Sequence, residues 1–210
     1  MSKDQARLVR TVAIGISTVW GFALYASGVN LEDSARRLLG YIPSISVLLA
    51  VVFDLWAWKW PGVHTLVGRP RVDGTWRTTI RPHGRSRIPK NGNRGPIRSA
   101  VVIEQTFWTL SVRLLTAESS SMSEVASLRI DGESREQRLL TYTYRNEPKQ
   151  ENRPRSNPHR GACEFVVVGR LPRKISGTYW TDRFTVGDID LELIDRKRDR
   201  SSLADVPASP

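Results

Sequence analysis

The chain has 210 residues, a formal charge of +11 from 32 Lys and Arg against 21 Asp and Glu, and one cysteine. A lone thiol excludes a disulfide framework and agrees with a reducing compartment. After residue 60 stand 26 basic and 17 acidic residues; this stretch of roughly 150 residues suffices for one compact domain and a tail, and its charge points to an anionic partner, either lipid headgroups or a phosphate-bearing ligand.

The first element is apolar. Thr11 to Val29 carries no charge, and Leu38 to about Trp58 is interrupted only by Asp54. About 19 residues of helix span a hydrocarbon core of roughly 30 Å. Residues 1–65 are therefore expected to form a transmembrane hairpin with helices over about 11–29 and 38–58. Ala26-Ser27-Gly28 imitates a signal-peptide cleavage site, but a second apolar run following so soon argues for a retained hairpin. Lys3, Arg7 and Arg10 precede the first run, Arg36 and Arg37 lie between the two, and Lys59, Arg69 and Arg71 follow the second. The sum places both ends and the following domain in the cytoplasm, with the hairpin in an inner membrane. Trp56, Trp58 and Trp60 would mark the interface. Ala13, Ser17 and Gly21 give the first helix a small face suited to close approach of a partner helix. Asp54, costly inside an apolar span, would anchor at the interface or be paired within an oligomer.

From 66 to 196 the pattern changes to short alternating runs separated by turn residues, the mark of an all-β barrel or sandwich. Eight candidate strands cover Asp73–Arg81, Ala100–Thr106, Trp108–Thr116, Ser123–Ile130, Arg138–Arg145, Ala162–Arg170, Ile175–Arg183 and Asp188–Asp195. Pro82 to Pro96 reads as a Gly/Pro/Arg loop, the serines 119–123 as a turn, and Gln105 to Trp108 as a reversal with little turn chemistry. Eight antiparallel strands fit a small up-and-down barrel holding one small ligand, with a two-sheet sandwich as the alternative. Residues 197–210 read as a disordered tail.

Several local patterns occur together here: Gly74-Thr75-Trp76, Ile103 to Trp108, Ser119 to Ser123, Tyr142 to Pro148, His159-Arg160-Gly161, and Gly177 to Arg183 with Gly187. With the preceding hairpin, their order resembles the two-transmembrane, β-strand-rich effectors of bacterial CBASS antiphage systems, over about residues 10 to 196. The resemblance implies a cytosolic eight-stranded barrel that binds a cyclic oligonucleotide. That messenger comes from a nucleotidyltransferase encoded alongside. Homo-oligomerisation and membrane disruption follow, killing the infected cell. A nucleic acid polymer is not an expected partner.

A cyclic dinucleotide presents two phosphates and two flat bases, so its site needs cations and aromatic faces. Tyr142 and Tyr144 share one strand face; Tyr179, Thr181 and Arg183 share another. These either line the ligand site or fill the core. His159 is placed to hydrogen-bond a base edge or to cap a loop, and Ser121 and Ser123 to donate to phosphate or to make a turn. The basic run Arg77 to Arg98 is read as a solvated loop, a lipid contact or a lid. His64, His83 and His159 are far apart in sequence, and no nucleophile elbow or phosphate-binding Gly-Lys-Ser/Thr loop occurs. The chain is accordingly expected to be no enzyme and to need no cofactor. The alternative reading is a membrane-tethered barrel that takes up a lipid or small apolar molecule.

Overall fold

The computed structural model describes residues 3–27, 33–90, 92–131, 134–153 and 156–207, with backbone alone at 3–10, 13, 33–34, 36–38, 130–131 and 134–136. The chain divides into two units, Met1–Val67 and Gly68–Pro210.

The first unit is helical: α1 (Lys3–Ala26), α2 (Asp33–Leu55), a 3-10 turn at Ala57–Lys59 and α3 (Pro61–Val67). Both long helices start ahead of their apolar runs, because residues such as Gln5, Ala6, Arg7 and Leu8 are themselves good helix formers. α1 and α2 meet where Trp20 Nε1 donates to the Leu39 carbonyl at 3.0 Å. Ser17 lines a cleft with Ser44 and Val47 of α2. Gly21 has open space around its Cα, so no close helix approach within the chain requires it. The Ala13 side chain lies outside the described residues. Asp54 is half-buried in the last turn of α2. Trp56 and Trp60 are exposed, whereas Trp58 is fully buried beside His64 at 6.2 Å between ring centroids, so Trp58 does not fit the expected belt. Among the described residues no helix is long and apolar enough to cross a membrane. Ile14, Val19 and Phe22 of α1 and Leu48 and Leu49 of α2 are nevertheless exposed.

The second unit is a closed eight-stranded antiparallel barrel in sequential order: β1 (Gly74–Pro82), β2 (Ile97–Gln105), β3 (Leu110–Leu115), β4 (Ser119–Asp131), β5 (Ser134–Pro148), β6 (His159–Val168), β7 (Lys174–Thr181) and β8 (Val186–Asp195). All eight expected strands are present, and closure removes every sheet edge. Inward positions alternate along each strand as period 2 requires: Trp76, Ile80, Val101, Ile103, Phe165 and Ile189 fill the interior.

Two reversals use side-chain chemistry that the composition conceals. At 106–109 the Thr106 hydroxyl accepts from the Thr109 amide at 2.9 Å and lies 2.8 Å from the Thr109 hydroxyl. At 116–119 the Thr116 hydroxyl accepts the amides of Glu118 and Ser119. The serines at 119–123 therefore start β4 instead of forming the turn. Where β4 bulges between Ser123 and Val125, the Ser123 hydroxyl accepts the Val112 amide at 2.9 Å and replaces a ladder bond.

One end of the barrel is plugged. Residues 70–73 cross it, held by Gln105, whose amide nitrogen donates to the Pro70 carbonyl at 2.9 Å while its oxygen accepts the Val72 amide at 2.8 Å. Trp76 Nε1 donates to the Val72 carbonyl at 2.9 Å. The buried Asp73 accepts from Arg71 at 2.8 Å. The tail expected to be disordered packs instead: Leu203 and Val206 cover the outward Ala100, Val102 and Leu115. The Lys197 carbonyl accepts from Thr75 at 2.7 Å and the Arg200 carbonyl from Arg113 at 2.8 Å. The physical reason is that β2 carries small apolar residues on both faces, and its outer face needs a cover.

Candidate ligand site at the barrel mouth

The end opposite the plug opens into a cavity of about 1040 Å³, at the upper end of the ~300–1,000 Å³ typical of ligand sites. Its walls are the C-terminal ends of β1, β3, β5 and β7, the N-terminal ends of the strands between them, and the loop joining β1 to β2.

Tyr144, Cys163 and Tyr179 form its floor. Burial pushes the Cys163 thiol and the Tyr179 phenol each up to about 12 and raises Tyr144 further above its ordinary value. At neutral pH all three are uncharged and the two rings offer aromatic faces. Tyr144 lies over Gly161, which its strand pairs with in register. A Cβ at Gly161 would stand 2.5 Å from the Tyr144 ring and hydroxyl and 2.7 Å from the Trp180 carbonyl. The Gly161→Ala variant is expected to lose about 1–3 kcal/mol by overpacking and to swing Tyr144 off the floor. Thermal melting and the Tyr144 ring resonances check both.

His159 lies half-buried at the rim, with Nδ1 3.2 Å from the Asn157 carbonyl and 3.5 Å from Asn146 Nδ2. Burial first, and the Arg183 charge second, lower its pKa below the ordinary imidazole value. The neutral ring donates from Nδ1 to the Asn157 carbonyl and leaves Nε2 as an acceptor. A histidine whose folded pKa is depressed binds fewer protons folded than unfolded, so its contribution to stability is lost as pH falls through the unfolded value and toward the folded one. An NMR titration of His159 should show a midpoint below the free value, and Arg183→Ala should raise it; an unchanged midpoint would remove Arg183 as a cause.

β7 ends at Thr181, so Arg183 sits in the hairpin turn and not on the strand. The Thr181 hydroxyl accepts the amides of Arg183 and Thr185 at 3.3 Å and lies 2.6 Å from the Thr185 hydroxyl. Phe184 takes φ of 59°, the left-handed residue that such three-residue turns need. Arg183 still lines the mouth and donates to Ser156 at 3.2 Å. The basic loop docks here and does not trail in solvent. The Arg87 amide donates to the Phe184 carbonyl at 3.0 Å, the Ser86 hydroxyl to the Val186 carbonyl at 2.7 Å, and the Arg87 guanidinium stands 4.7 Å over the Phe184 ring. Arg87, Lys90 and Arg98 thereby join Arg183 on the cavity wall.

Of the expected ligand residues, Tyr144, His159, Tyr179, Thr181 and Arg183 come together at the mouth. Tyr142 does not line it: 4 % exposed, it stacks on Phe165 at 6.1 Å beneath the floor. Ser121 is buried opposite Leu114, and Ser123 serves the bulge. Asn146, on the same face as Tyr144 and two residues on, lines the cavity and was legible from that spacing alone.

Residues 67–193 match the family described as Cap15, cyclic dinucleotide receptor domain. The chain is also 28% identical over 158 residues to CD-NTase-associated protein 15 of Staphylococcus schleiferi, covering 75% of this chain and 79% of that protein. The family match spans all but the last two residues of the barrel, together with its mouth, and well over half of the sequence. The chain belongs to the Cap15 cyclic dinucleotide receptor domain family.

Proposed function

We propose that the mouth cavity binds a cyclic dinucleotide made by a nucleotidyltransferase of the same CBASS system, and that binding makes the chain self-associate and breach the inner membrane, ending the infection with the cell. The observation that carries the binding step is the composition of the mouth. Four cations, Arg87, Lys90, Arg98 and Arg183, ring a floor of uncharged Tyr144 and Tyr179. Cations meet the two phosphates by charge-assisted hydrogen bonds, and the rings meet the bases by stacking. An apolar ligand offers those cations no anionic partner, which disfavours uptake of a purely apolar molecule.

The membrane step draws on the first unit. α1 and α2 carry exposed apolar side chains, among them Ile14, Val19, Phe22, Leu48 and Leu49, and a bilayer is the solvent in which such a pair costs least. The helices then hold the barrel at the cytoplasmic face. The chain acts as a binding effector and not as a catalyst. The test is the melting of the full chain at fixed, near-physiological salt with a panel of cyclic di- and trinucleotides. A ligand at about 100 times its Kd stabilises the fold by roughly 2.7 kcal/mol. The same ligand should release dye from vesicles holding the full chain. No melting shift across the panel would refute the sensor, and a shift without leakage would refute the effector step alone.

A further inference from the structure

The barrel carries a second basic region, and it lies at the plugged end. The β2–β3 reversal, the β6–β7 turn and the chain following β8 converge there around the crossing segment 69–73. The Arg71 amide donates to the Arg170 carbonyl at 2.8 Å and the Leu193 amide to the Arg173 carbonyl at 2.9 Å. Arg196 Nη1 donates to the Asp73 carbonyl at 2.6 Å. Arg170, Arg173, Lys197 and Arg198 are exposed around this frame. The acids of the same end are mostly turned to its interior: the Asp73 side chain is 3 % exposed and holds Arg71, and Asp195 holds Arg200. Among the described residues, Glu104 and Asp199 are the exposed acids of this end. Burial lowers the Arg196 pKa from its ordinary value, with Asp73 opposing and the charges of Arg71 and Arg173 adding to it.

Two large apolar side chains project from among these cations. Trp108 is 60% exposed at the tip of the β2–β3 reversal and Leu171 is 59% exposed in the β6–β7 turn. Trp108 stands edge-on to Phe107 at 5.7 Å, and the Arg69 guanidinium lies 5.4 Å from the Phe107 ring. At the mouth, by contrast, cations ring a concavity with aromatic walls. A concave site takes a discrete ligand; a closed end with cations around an exposed indole and a leucine fits a surface that is anionic outside and apolar a few ångströms below.

We propose that the plugged end of the barrel is a membrane-docking face, on which Arg170, Arg173, Lys197 and Arg198 contact anionic lipid headgroups while Trp108 and Leu171 enter the interfacial layer. The proposal rests on the membrane reading above and adds to it an orientation: the mouth points away from the lipid, open to a soluble messenger. Each Lys or Arg at an anionic surface adds several-fold to affinity at moderate salt, so headgroup charge governs the contact.

A nitroxide on the full chain reads this directly. Cys163 is buried with its thiol pushed up to about 12, so an exposed Leu171→Cys takes the label ahead of it, the unsubstituted chain serving as the labelling blank, and Asn93→Cys at the mouth is the control. In vesicles with a third phosphatidylglycerol, the 171 label should be more accessible to oxygen than to a water-soluble nickel chelate. It should return to water in pure phosphatidylcholine, at high salt, or with Arg170→Glu/Arg173→Glu/Lys197→Glu. The 93 label should stay aqueous throughout. A chain inserted in both vesicle types with the 171 label aqueous in both would overturn the docking face and spare the membrane reading. A chain that enters neither vesicle would overturn both. A 171 label that RNA shields and vesicles do not would assign the face to a polyanion, and also overturn the proposal.

Discussion

Replacing Trp76 by alanine is expected to destabilise the barrel by about 3–5 kcal/mol, the range for truncating a buried aromatic. The indole is fully buried in the interior, and its Nε1 donates to the Val72 carbonyl in the plug at 2.9 Å. The variant therefore leaves a cavity and also a buried carbonyl without its donor. For a domain of this size that is a fall in the melting midpoint of about 10 °C or more. Because the plug hangs on the same indole, residues 70–73 should lose hydrogen-exchange protection before the mouth does. A shift of only a degree or two would mean that the plug closes the barrel without this anchor.

Arg183→Glu is expected to have the opposite profile: little change in stability and a large loss of binding. The side chain sits at an exposed turn and donates to Ser156 at 3.2 Å, and such a position moves stability by about 0.5 kcal/mol or less. A charge-assisted bond to phosphate contributes about 1.5–3 kcal/mol, a factor of about 10 to 100 in Kd, and reversing the charge adds repulsion. Calorimetric titration of a cyclic dinucleotide into the full chain, paired with melting without ligand, separates the two effects. Equal Kd for both chains would move the phosphate contacts away from this turn.

The barrel was legible in the sequence because the period of 2 survives in most of the strands, most cleanly in Ile189, Leu191 and Leu193 against Asp188, Asp190 and Glu192. The site was legible where it follows that period. Tyr144 and Tyr179 face inward as their spacing requires, and so does Asn146, two residues beyond Tyr144. What the pattern hides is depth along the strand. Tyr142 and Tyr144 share a face, yet Tyr142 lies one step further in and belongs to the core. Threonine turns were hidden for a different reason: Thr106 and Thr116 read as strand formers, and only their hydroxyl geometry makes them reversal residues. The tail misleads by composition, since two apolar residues among Ser, Ala and Pro are enough to fasten it when a complementary apolar strip waits on β2 and β3.

The position of the ligand is the claim on which the rest depends, and photocrosslinking tests it most directly. An azido-substituted cyclic dinucleotide, irradiated with the full chain and mapped by mass spectrometry, should label peptides carrying Tyr144, Tyr179 or the 87–98 loop. Unmodified ligand should compete the label away, and Arg183→Glu should nearly abolish it. Label confined to the plugged end, at Phe107 and Trp108 or at Arg170 to Arg173, would contradict the account.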